Sequence, residues 1–213
     1  MPNQNDNNPY HRTAELYEKK LRLPIIRNFR RAEESKLKAV FDSIIRPEDT
    51  VLEIGCGTGY YTRDLVRRAA HVIALDDSDT MLNIVKARLD EADLSHVDFV
   101  RSEGSQFVPQ VPVDVVMHIG VLDYVKDWEK FITHSLIHAG RACIFTCPTS
   151  GLPGRIFHIL ARCERVNIQL YHQHQVESYF TRAHPDWTLE MAPVGLNSGW
   201  TGALTWVVTA NRK

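Results

Sequence analysis

Glu53 stands inside a short apolar run, and Asp76 and Glu103 follow two more, at His71 to Leu75 and Val97 to Val100. Directly after Glu53 comes Gly55-Cys56-Gly57-Thr58-Gly59. Glycines let a backbone approach a bulky ligand in conformations closed to other residues, and a helix starting just beyond them favours negative charge such as an amino-acid carboxylate. Glu53 can then answer the ligand's ammonium, directly or through water. Asp76 offers two acceptor oxygens, enough for both hydroxyls of a ribose. Glu103 can accept from the exocyclic amine of an adenine, with the backbone of Gly104 close to the ring. An acid on its own also fits an ordinary surface position, a reading that weighs most at Glu103 and least at Asp76. A dinucleotide fingerprint needs a third glycine where Tyr60 stands, which disfavours a nicotinamide site.

The pattern of elements must bring these residues to one edge. Leu37, Val40, Phe41 and Ile44 follow helical spacing, so an amphipathic helix is expected over Arg27 to Ile45, ended near Pro47. Val51 to Ile54 reads as a strand, and Thr58 to Arg68 as a helix with Tyr61 and Leu65 on one face. His71 to Leu75 is a second strand, after which Ser78 or Asp79 caps a helix carrying Met81, Leu82, Val85 and Leu89. Val97 to Val100 and Val113 to Ile119 are further strands, Trp128 to Ile137 a helix, and Arg141 to Thr146 a fifth strand. Nearly continuous apolar strands alternating with helices specify a parallel sheet covered on both faces, the doubly wound α/β arrangement. Helices near Arg155 to Arg162 and Gln175 to Ala183 precede two closing strands, Trp187 to Ala192 and Ala203 to Ala210, which form a hairpin and place an antiparallel strand in the sheet.

V-L-E-I-G-C-G-T-G-Y-Y-T, V-I-A-L-D-D-S-D-T-M-L, D-F-V-R-S-E-G and V-D-V-V-M-H-I-G-V-L-D-Y-V together resemble the class I S-adenosylmethionine-dependent methyltransferases, over about Thr50 to Pro148. The resemblance implies a Rossmann-like sheet of seven strands in the order 3-2-1-4-5-7-6, the seventh antiparallel. It also implies S-adenosylmethionine as cofactor and S-adenosylhomocysteine as product. By the family pattern Gly55, Cys56, Gly57 and Gly59 line the methionine end, Asp76 binds the ribose, and Glu103 with Gly104 meets the adenine. His118 and Ile119 flank the sulfonium. The chain departs from the pattern at Asp77, where an apolar residue usually lies against the adenine, and at Glu103, where Asp is commoner. Met81 and Leu82 match the family's helix and read as core.

Methyl transfer from an activated sulfonium needs an aligned nucleophile and no metal. For a hydroxyl or thiol acceptor a base helps, and His118, Asp123 and Tyr124 are the catalytic candidates; a packing role is the plainer reading for His118. Tyr171, His172 and His174 form a polar cluster on the expected substrate side, where helix capping or substrate contact is favoured over metal. Tyr17, a further substrate-binding candidate, belongs with Tyr10 to N-terminal helices that would close over the cofactor as a lid; a solvent-facing helix with its aromatic residues packed on the core is the competing reading. No N-P-P-Y or D-P-P-Y run follows the fourth strand, which shifts weight from amino methylation toward a small-molecule acceptor, with oxygen as the expected atom.

The remaining features bound the setting. Residues 1–10 read as a disordered tail, 11–46 as an N-terminal helical lid, 50–148 as the cofactor-binding core, and 149–213 as the substrate side with the hairpin, all one domain. Cysteines 56, 143, 147 and 163 form no C-x-x-C pair and read as reduced thiols. With no signal peptide and no transmembrane-length run, a cytoplasmic protein is expected. A net charge of −1 lacks the global field of a nucleic-acid binder, although His11 to Arg46 holds ten Lys and Arg against five Asp and Glu. A solvated helix face explains that excess most simply. Three alternatives stay open: a methyltransferase acting on RNA or protein, a noncatalytic cofactor-binding partner subunit, and, least favoured, an NAD-dependent oxidoreductase.

Overall fold

A computed structural model describes residues 24–151, 169–195 and 203–213. The elements run α1 (Pro24–Ile44), β1 (Thr50–Ile54), α2 (Thr62–Leu65), β2 (His71–Asp76), α3 (Asp79–Arg88), α4 (Glu91–Leu94), β3 (Val97–Arg101), β4 (Val113–His118), a 3-10 turn (Leu122–Tyr124), α5 (Trp128–His138), β5 (Ala139–Pro148), α6 (Gln173–Ala183), β6 (Trp187–Val194) and β7 (Thr205–Arg212). The helix expected near Arg155 to Arg162 lies outside the described residues.

The strands form one seven-stranded sheet in the order β3-β2-β1-β4-β5-β7-β6. The first five are parallel, and β7 runs antiparallel to both β5 and β6. This is the doubly wound order expected from the sequence, with β6 and β7 forming the closing hairpin. Central strands are apolar on both faces because both are covered. Leu52 and Ile54 join Phe131, Ile132, Leu136 and Phe145 on one side, while Val51 joins Leu37, Phe41, Leu65, Leu82 and Val85 on the other. A polar residue at the start of β4 is also placed by pairing: Asp114 accepts a hydrogen bond from the Thr50 amide at 2.8 Å and ties the lower ends of β1 and β4.

One element differs from expectation. The helix foreseen from Thr58 to Arg68 forms only at Thr62–Leu65. Gly59 has φ +77° and its amide donates to the Cys56 carbonyl, so the chain is still turning where a right-handed helix would have begun. Ser78, rather than Asp79, caps α3 by accepting from the Met81 amide.

Candidate cofactor and acceptor site

The glycine loop leaves the C-terminal end of β1 and is fastened to the end of β2. Gly55 and Cys56 amides donate to the Leu75 carbonyl at 2.7 and 3.0 Å, and the Gly57 amide donates to Asp76 Oδ2 at 2.9 Å. Asp76 Oδ1 accepts from the Ser78 amide at 3.0 Å. The carboxylate is thereby oriented by two backbone donors and keeps lone pairs for a further donor. Burial raises its pKa, opposed by those two amides and reinforced by Asp77.

The glycines have separate reasons to be glycine. A Cβ at Gly55 would stand 2.6 Å from Val121 Cγ2, and one at Gly59 would stand 2.7 Å from Val85 Cγ1. The first keeps the turn after β4 against the loop, and the second lets α3 close up beneath it. Gly57, at φ +54°, faces open space, with no protein atom within 4 Å of an added Cβ. Such space beside Asp76 is what a ligand needs. Gly104 belongs to the packing kind, since a Cβ there would lie 2.4 Å from Ile54 Cγ2.

Glu53 is buried behind the loop and accepts a hydrogen bond from Thr62 Oγ1 at 2.6 Å. Burial pushes its pKa up to about 8, with the Thr62 bond opposing and the charge of Asp76 adding to the rise. Glu103 is exposed, and its carboxylate accepts from Ser105 Oγ at 2.7 Å and Gln106 Nε2 at 2.6 Å, closing its own turn. Asp77 is exposed at the tip beyond β2, and Cys56 is buried under the loop.

The candidates for the reacting end separate sharply. His118 is fully buried, stacked on Phe145 with centroids 5.2 Å apart and edge-on to Phe131 at 5.0 Å. Burial holds its pKa down to about 3, and its Nδ1 has no hydrogen-bond partner among the described residues. Its side chain belongs to the core between the sheet and α5, which corrects its reading as a base: a ring sealed from solvent between two phenylalanines meets no acceptor. Ile119, half-buried, packs on the opposite face with Cys56 and Tyr61. Asp123, half-buried in the 3-10 turn, has its pKa pushed up to about 7 by burial, with the negative charge of Glu33 adding. Tyr124 is exposed.

Sequence reasoning passed over Glu33. It is buried on α1, takes a hydrogen bond from Arg30 Nη1 at 3.1 Å and one from Tyr61 Oη at 3.5 Å, and burial raises its pKa against the attraction of Arg30. Tyr60 donates to Glu34 at 2.6 Å, and Arg30 lies 5.6 Å from the centre of the Tyr60 ring. Thus α1 is attached to the two tyrosines at the end of the glycine loop. A charged residue on the buried stripe of Leu37 and Phe41, four and eight residues before them, was the available signal.

On the acceptor side Tyr171 is buried, donates to the Leu122 carbonyl at 2.9 Å and pairs with Thr149 by an isolated bridge. Burial raises its pKa, and the charge of Asp123 contributes. His172 and His174 are exposed with rings 5.3 Å apart; His172 takes the N-cap position of α6 but bonds Ser150 Oγ at 2.6 Å through Nδ1, capping no amide. Tyr17 and Tyr10 lie outside the described residues. The structure therefore gathers the glycine loop, Glu53, Asp76, Asp123 and Tyr171 at the C-terminal edge of the parallel strands, where open α/β sheets bind ligands.

This edge defines a Rossmann-like cofactor site. The family model of the methyltransferase domain matches residues 51–136. Protein-L-isoaspartate O-methyltransferase of Koribacter versatilis is 30% identical over 101 residues, 47% of this chain and 44% of that protein. Ubiquinone biosynthesis O-methyltransferase of Rhodopseudomonas palustris is 36% identical over 84 residues, 38% of this chain and 32% of that protein. The matches thus span less than half the length of these two relatives. Magnesium protoporphyrin IX methyltransferase from Synechocystis PCC 6803 with bound SAH has the same fold, at a TM-score of 0.71 and 14% identity, covering 90% of this chain and 88% of that one. Residues 51–136 are thus a methyltransferase domain, set in a chain with the seven-stranded fold of the S-adenosylmethionine-dependent methyltransferases.

The residues present fit that cofactor. Gly57 keeps a space that a Cβ would enter, Asp76 is oriented with acceptor capacity to spare, and Glu53 is a buried acid that accepts from Thr62 and, among the described residues, has no Lys or Arg bonded to it.

Proposed function

We propose that this protein transfers a methyl group from S-adenosylmethionine to a small-molecule acceptor, with oxygen as the receiving atom. The observation that carries the reading is the contact of the glycine loop with the turn after β4: with Gly55 against Val121, the Asp76 and Glu53 carboxyls and the Asp123 carboxyl border one edge. When bound, the sulfonium supplies a methyl carbon already activated toward nucleophiles. Gly57 and Asp76 hold the cofactor, and Glu53 answers its ammonium. Asp123 accepts the proton of the acceptor hydroxyl, a task suited by a pKa of about 7 in a water-poor setting. Tyr171 supports this turn through its bond to Leu122, while Tyr124, His172 and His174 border the acceptor.

The ubiquinone-directed relative supports an oxygen acceptor, as does the absence of an N-P-P-Y run after β4. Residues 50–148 form the cofactor core in this reading, and 149–213 the acceptor side. Cys56, Cys143 and Cys147 are free and buried, which suits work in the reducing cytoplasm. Among the described residues no helix is long and apolar enough to cross a membrane.

Calorimetric titration with S-adenosylmethionine, S-adenosylhomocysteine and NADH tests the cofactor, and a screen of hydroxyl, thiol and amine acceptors with labelled methyl tests the rest. Micromolar binding of the two sulfur ligands alone is expected, weakened by roughly 1 to 3 kcal/mol in Asp76→Ala through lost charged hydrogen bonds. Unchanged affinity in the folded variant removes the ribose assignment. Turnover confined to amines removes the oxygen acceptor.

A further inference from the structure

We propose that His134 and His138 chelate a divalent transition cation on the outer side of α5, away from the cofactor edge. Positions four apart share one helix face, and both residues are half-buried. Their centroids are 4.7 Å apart at 77°. With metal–nitrogen bonds of about 2.0–2.1 Å, two imidazoles on one ion bring their centres to about 5 Å. The separation already matches.

The tautomer of His134 is also set. Its Nε2 lies 2.8 Å from the Phe107 carbonyl oxygen, which can only accept, so the hydrogen is on Nε2 and the Nδ1 lone pair is left for a ligand. A metal-binding histidine commonly donates its second nitrogen to a carbonyl in this way, which fixes the ring and raises its basicity. Among the described residues no third His, Cys, Asp or Glu joins the pair. Water therefore completes the coordination and the ion exchanges readily. Two neutral imidazoles with open positions select copper(II) most strongly, then nickel and zinc. The Phe107 carbonyl that His134 holds ends the turn starting at Glu103, whose carbonyl accepts from the Gln106 and Phe107 amides. A bound ion thus stiffens the support of that turn.

The test uses the untagged full chain. Copper(II) is titrated while the imidazole carbon-bound proton signals are followed by NMR, with cofactor-independent circular dichroism as the control for folding. Signals of His134 and His138 should broaden first, below one equivalent. Affinity should fall by about 10-fold or more in His138→Ala and likewise in His134→Ala. A His172→Ala/His174→Ala variant should retain the site. First broadening at any other histidines, or equal copper affinity in wild type and His138→Ala, overturns the proposal.

Discussion

Glu53 carries a cost of burial, and Gly57 leaves an open space, that a bound ligand would explain. Unfolded, Glu53 releases its proton near the ordinary value of 4.5, whereas folded it holds the proton up to about 8. The native state then binds more protons than the unfolded one between those values, so this group lowers stability as pH rises from about 4.5 to about 8. Glu53→Gln should remove that loss, raising the denaturation midpoint at pH 8 by the equivalent of a few kcal/mol at most, about 1 to 3, while weakening S-adenosylmethionine. Chemical denaturation at pH 5 and pH 8 reads it: a variant that gains no stability at pH 8 relative to pH 5 contradicts the uncompensated carboxyl. Gly57→Val acts on the empty side of the loop. The left-handed backbone costs a β-branched residue about 1 to 2 kcal/mol, which a domain with this core should survive. Calorimetry should then find a folded protein with no detectable S-adenosylhomocysteine binding. Retained micromolar affinity means the space beyond Gly57 is not where the ligand lies.

Among the elements, α1 does more than cover an opening. Leu37 and Phe41 are fully buried with Val51, Leu65 and Val115, so the helix completes one of the two layers over the sheet. Phe41→Ala should therefore cost about 3 to 5 kcal/mol in a single cooperative transition. A small loss, or a separate early transition, would make α1 a detachable lid. The strand and helix sequence was legible because runs such as Val51 to Ile54 and Val113 to His118 are apolar at consecutive positions, a pattern that requires cover on both faces. Asp76 was legible for the same reason, as the first acid past a buried strand. What sequence could not show were contacts between distant segments. His118 looks like a strand-end base until Phe131 and Phe145 are seen to enclose it, and the shortness of α2 follows from the left-handed turn at Gly59. Glu33 carried a readable signal in its helical register, but its approach to Tyr61 and its charge on Asp123 depend on how α1 crosses the loop.

At the scale of the whole molecule, the proposed reacting end is assembled from three segments far apart in sequence: α1 with Arg30 and Glu33, the turn after β4 with Asp123, and the segment before α6 with Tyr171. Their electrostatics are shared. Burial raises Asp123 first, Glu33 adds to the rise, and Arg30 opposes it. A base with a pKa of about 7 is ionised above that value, so methyl transfer to a hydroxyl acceptor should climb through pH 7 and level off above it. Neutralising Glu33 removes a negative charge that disfavours the Asp123 carboxylate, and Glu33→Gln should move the midpoint of the climb to lower pH. The plateau should stay within a few-fold, because Gln keeps the volume and can still meet Arg30 or Tyr61 poorly but without a clash. The same shift should be visible without an acceptor, in the carboxyl carbon signal of Asp123 identified by its loss in Asp123→Asn. Agreement of the two midpoints assigns the base and shows that α1 tunes it. A carboxyl signal that titrates near 4 in both proteins removes Asp123 from the chemistry and leaves α1 a purely structural helix.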